Sequence, residues 1–105
     1  MKVHVEVTQD DIDMAAFEYG LNDGPRWLEC CPIAQALNRQ LPQHEWCVDP
    51  QESGGVWRDG FWGQGKAASL PLRARRFGRR WDRVYNVRDN WPMPFAFDID
   101  LPVTA

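Results

Sequence analysis

Apolar positions recur along the chain in two rhythms, and the switch from one to the other marks out the elements. Val3, Val5 and Val7 alternate with Lys2, His4 and Glu6, a period of two that predicts a half-buried strand with His4 on its solvated face. Ile12, Ala15, Ala16 and Tyr19 then follow helical spacing. Thr8 stands ahead of them as an N-cap, and Asp10 and Asp11 sit where the helix dipole favours negative charge. This helix is expected from Gln9 to Tyr19, stopped by Gly20, with Asp10, Asp11, Asp13 and Glu18 facing solvent. After a loop with the turn signal Asn22-Asp23-Gly24-Pro25, a second helix opens at Pro32. It buries Ile33, Ala36, Leu37 and Leu41 and ends at Pro42.

From His44 the pattern returns to strand, with Trp46, Cys47 and Val48 as a short apolar run. Trp46 to Val48 and Val56-Trp57, on either side of the turn at Ser53-Gly54-Gly55, predict a hairpin. Leu70, Ala74, Phe77, Trp81 and Val84 recur at steps of 4, 3, 4 and 3, which predicts a third helix over 70–85 with Pro71 in its first turn. Gly78 in its middle costs about 1 kcal/mol against alanine, so it marks close packing or an early break. Finally Phe95, Phe97, Ile99 and Leu101 alternate with Ala96, Asp98 and Asp100 as a closing strand. The order β-α-α-β-β-α-β describes an α+β fold: a small, mostly antiparallel sheet with two or three helices packed on one face.

Size and composition fit one domain spanning residues 1–105. Its 44% hydrophobic content, with six Trp, five Phe and two Tyr, supports a packed core rather than a disordered chain. The net charge of −3 hides a strong asymmetry. Residues 1–52 carry ten acids against Lys2, Arg26 and Arg39, a balance of −7; residues 53–105 carry nine bases against five acids, a balance of +4. Six of those nine bases, Arg73, Arg75, Arg76, Arg79, Arg80 and Arg83, stand on the third predicted helix. No apolar run reaches the length of a membrane span, and the start MKVHVEVTQDD lacks the plan of a secretory leader. Three cysteines, two of them adjacent, form no disulfide framework; a cytoplasmic location is expected.

The motifs that suggest catalysis are incomplete. Gly60-Phe61-Trp62-Gly63-Gln64-Gly65-Lys66 matches the phosphate-loop frame, but Ala67 stands where a magnesium-binding hydroxyl belongs. Cys30 and Cys31 are adjacent rather than spaced as zinc ligands, so neither metal nor cofactor is expected. Cys31, next to Pro32, falls at the N-cap of the second helix, where exposed N–H groups favour a thiolate; it is the candidate reactive thiol. Contact chemistry has more support. Arg73, Arg76, Arg80 and Arg83 form a cationic helix face, and Trp57, Phe61, Trp62 and Trp91 lie in or beside turns, where large rings act as interface anchors. The alternative reading of the arginines is a solvated face paired with acids of the N-terminal half.

The opening strand followed by TQDDID, the Cys-Pro helix CPIAQAL and the arginine-aromatic helix leading to PFAFDIDL resemble a group of small, uncharacterised proteins of tailed phages and prophages. The chain departs from that group in the stretch MAAFEYGLNDGPRWLE before the cysteines and in its extra tryptophans. The resemblance implies no catalytic residues. It implies a non-enzymatic protein that binds a host protein or nucleic-acid-handling complex and blocks or redirects it, a class that includes CRISPR inhibitors. A small nucleic-acid-binding regulator using Arg73 to Arg83, and a thiol-dependent enzyme at Cys31, are the alternatives.

Overall fold

The structure, a computed structural model, describes residues 1–21, 31–59 and 66–102. It is an α+β fold of three helices and two small antiparallel sheets: β1 (Lys2–Val7), α1 (Gln9–Leu21), α2 (Pro32–Gln40), β2 (Trp46–Asp49), β3 (Gly55–Arg58), β4 (Ala68–Ser69), α3 (Leu72–Val84), a 3₁₀ turn (Arg88–Asn90) and β5 (Phe95–Asp100). The first and last strands pair in register from Lys2 opposite Asp100 to Val7 opposite Phe95. The predicted hairpin forms with Val48 opposite Val56. Where one sheet was expected, the pairing divides into two, β1-β5 and β2-β3-β4. The two-residue strand β4 went unread because so short a segment has no periodicity of its own.

One apolar cluster joins both sheets to the helices. Alternation does its expected work in β1, where Val3, Val5 and Val7 are buried and Lys2, His4 and Glu6 exposed. Helix α2 lies at the centre, packed on α1, β1 and β2, with Ile33, Ala34, Ala36 and Leu37 all buried. The outer edge of β1 is covered by α2 side chains rather than by another strand. Gln40 Oε1 accepts from Glu6 N at 2.7 Å while its Nε2 donates to the His4 carbonyl at 2.9 Å. This blunts an edge that would otherwise present unpaired backbone groups.

The acids of α1 do not all face solvent as expected. Asp10 and Asp13 are exposed, whereas Asp11 is only 5% exposed. It closes a reciprocal cap with Thr8, accepting from Thr8 N at 2.9 Å and donating its own N–H to Thr8 Oγ1 at 3.2 Å. Arg39 grips the same carboxylate through Nε at 3.1 Å and a terminal nitrogen at 2.9 Å, and that nitrogen also reaches the Glu6 carbonyl at 2.8 Å. Glu18, half-buried, accepts from Gln35. Period alone could not find this, because it separates faces but cannot see a cation arriving from another helix. Asp11→Ala should therefore cost about 3 kcal/mol, a lost cap plus a broken, partly buried ion pair. The exposed Asp10→Ala should stay within about 0.5 kcal/mol. Urea unfolding of the two variants compares them directly.

The tryptophans divide by depth. Trp46 and Trp81 are fully buried, and Trp57 and Trp91 are half-buried. Trp81 centres an aromatic cluster, with ring centroids 5.7 Å from Tyr19, 5.5 Å from Trp91 and 6.4 Å from Tyr85. Phe77 stacks on Phe95 at 4.4 Å, fastening α3 to β5. No helix among the described residues is long and apolar enough to cross a membrane.

Candidate functional site

Helix α3 turns two unlike faces. Ala74, Phe77, Gly78 and Trp81 are buried, while Arg73, Arg76, Arg79, Arg80 and Arg83 are exposed. The helix begins at Leu72, so Pro71 is its N-cap rather than a first-turn residue, with extended ψ of 152° and no side-chain cap. Leu70 is buried but lies between β4 and the helix, its N–H bonded to the Gly54 carbonyl at 2.7 Å.

One flank of α3 is the turn 49–53. Asp49 folds it by accepting from Gln51 N at 3.0 Å and Ser53 Oγ at 3.0 Å. Its Pro50 ring lies directly against Gly78: a Cβ there would meet Pro50 Cβ at 2.5 Å and Cγ at 2.7 Å. Gly78 thus marks close packing, not a break, and α3 runs through it. Two arginines clamp the turn by its backbone. Arg75 Nε donates to the Pro50 carbonyl at 3.3 Å and Arg79 Nε to the same oxygen at 3.2 Å. Their terminal nitrogens each reach the Gln51 carbonyl at 3.1 Å. The stem of Arg75 crosses Gly54, which has φ of +61° and would place a Cβ 2.9 Å from Arg75 Nε.

The only acid of α3 is Asp82. Asp82 accepts from Gln51 Nε2 at 2.9 Å and from the Tyr19 hydroxyl at 3.3 Å. Burial pushes its carboxyl above the usual range, and those two hydrogen bonds pull back against it. Burial likewise pushes the Tyr19 hydroxyl up, so it stays protonated and donates.

The other flank is the segment 85–95. Trp91 is folded back, its Nε1 donating to the Tyr85 carbonyl at 2.9 Å with Arg88 stacked over its ring at 5.6 Å. The ring is half-buried. Arg80 reaches the Asn90 carbonyl at 3.5 Å, and Arg73 lies over the Phe95 ring at 5.6 Å.

Between α3 and the 49–53 turn lies an open groove of about 560 Å³ lined by Gln51, Arg76, Arg79, Arg80 and Arg83. Three of the four expected arginines meet there; Arg73 sits outside it, on Phe95. Arg79 and Gln51 join the site unforeseen. For Arg79 the signal was present, since 76, 79, 80 and 83 share one helical face. Gln51 carries no sequence signal at all. Among the described residues, no guanidinium of α3 lies within 4.0 Å of a carboxylate. Arg75 and Arg79 are tied instead to backbone carbonyls of the 49–53 turn.

The remaining sequence candidates among the described residues are not part of the groove lining. Cys31 is the N-cap of α2, with Sγ accepting from Ala34 N at 3.4 Å, and it is 1% exposed. His4 is exposed on its strand, with Nδ1 2.8 Å from Asp98. Trp57 is half-buried in β3. Phe61 and Trp62, with the glycine-rich loop that carries them, lie outside the described residues. No group of three or more metal-ligating side chains forms among the described residues. The chain matches no protein-family model, no curated protein and no solved structure.

Gly78→Ala tests the wall of the groove. Helix propensity favours the change by about 1 kcal/mol, but overpacking against a rigid proline ring costs about 1–3 kcal/mol. A net loss of up to about 2 kcal/mol is expected in urea unfolding, where a solvated mid-helix glycine would instead gain about 1 kcal/mol.

Proposed function

We propose that this chain is a non-enzymatic binding protein that docks an acidic surface of a partner protein on the arginine face of α3. The observation that carries the reading is the groove itself: four exposed guanidiniums around one opening, none of them within 4.0 Å of a carboxylate among the described residues. Like charges three and four residues apart destabilise a helix by a few tenths of a kcal/mol per pair, a cost that an anionic partner would remove. Local charge, not net charge, governs such a contact, because exposed charges are screened beyond about 8–10 Å at physiological salt. A long nucleic acid would also meet the acids of residues 1–52, which favours a compact acidic patch over an extended duplex. The phage-protein resemblance adds direction: in that setting the partner is a host protein, and binding it would block or redirect its work.

Fluorescence anisotropy with a labelled oligoglutamate peptide, titrated with salt, tests the docking. Saturable binding at low salt that weakens steadily as salt rises is expected. Absence of binding at low salt would overturn the reading. A duplex oligonucleotide binding more tightly at every salt concentration would replace it with the nucleic-acid regulator.

A further inference from the structure

The geometry points to a more specific occupant of the groove: a compact polyphosphate group rather than carboxylates alone. This inference rests on the reading that the α3 arginines face a ligand. Arg76, Arg79, Arg80 and Arg83 occupy positions i, i+3, i+4 and i+7, so their stems leave one face within about 10 Å of helix rise. Their charges converge on one concavity instead of spreading over a flat surface. Each carboxylate brings one charge and two acceptor oxygens. A terminal phosphoryl group brings about −1.5 to −2 charge and three acceptors, a closer match to guanidinium forks packed this densely.

The site is also held in place before anything binds. Arg79 is fixed by its bonds to the Pro50 and Gln51 carbonyls, at 3.2 and 3.1 Å. Gln51 is fixed in turn by Asp82 at 2.9 Å. Such tethering reduces the ordering cost that exposed arginines otherwise meet on binding. Among the described residues the groove is lined by four arginines and one glutamine, with no aromatic ring. Charge-assisted hydrogen bonds to phosphoryl oxygens are the contacts this lining offers most densely.

Isothermal titration with sodium tripolyphosphate, against sodium sulfate at matched ionic strength, tests this. Saturable one-to-one binding of tripolyphosphate is expected, much tighter than sulfate. Arg76→Gln and Arg83→Gln, both on exposed residues, should each weaken it about tenfold, the loss of one charge-assisted contact. Lys2→Gln removes the same unit charge outside the groove and should leave the affinity unchanged. An equal loss in all three variants, or sulfate binding as tightly, would overturn the site as non-specific charge attraction. If oligoglutamate binds and tripolyphosphate does not, the polyphosphate inference falls and protein docking stands. If neither binds, both fall.

Discussion

Trp81→Ala is expected to lower stability by about 4 kcal/mol, within the usual range for a fully buried tryptophan. The side chain has no solvent exposure, and it is the hub on which Tyr19 of α1, Tyr85 after α3 and Trp91 of the returning segment all pack. Removing it opens a cavity that three rings cannot refill without leaving their own partners, Trp91 its bond to the Tyr85 carbonyl among them. For a domain of this size the melting temperature should fall by about 15–30 °C. Thermal denaturation followed by near-ultraviolet circular dichroism reads both the melting temperature and the loss of fixed aromatic packing. A shift of only a few degrees would mean that the aromatic cluster is not the keystone of the α1–α3 contact.

Arg80→Glu combined with Arg83→Glu is expected to weaken oligoglutamate binding at least about a hundredfold, or about 2.7 kcal/mol. Each reversal removes an attraction and adds a repulsion in the same groove. Neither residue contacts a carboxylate among the described residues; Arg80 gives up one long bond to the Asn90 carbonyl and Arg83 none of those described. The melting temperature should therefore hold while affinity collapses. Anisotropy and a thermal melt on the same sample separate the two effects, and retained affinity would sink the docking face. The pair differs in kind from Trp81: one change strikes the scaffold and spares the surface charges, the other does the reverse.

Much of this was readable from the chain. Strand and helix periods placed β1, the β2–β3 hairpin, α1, α2, α3 and β5, because each buries one face and solvent punishes any other phase. Gly78 was recognised as a close approach or a break, and Cys31 as a cap, from local chemistry alone. Some misreadings were local: Pro71 caps α3 instead of lying in its first turn, and α1 runs past Gly20 to Leu21. One was relational: Asp11 looked solvated until Arg39 arrived from α2.

The division has a physical cause. Period, caps and turns depend on residues a few positions apart, so the sequence by itself determined the elements, their buried faces and the concentration of cations on one helix. Which charges remain uncompensated depends on what the fold carries to within a few ångströms. Only the tertiary structure brought Pro50 against Gly78, bonded Asp82 to Gln51 and Tyr19, and left four guanidiniums around an open groove. Electrostatics falls off with distance in space, which chain order does not record.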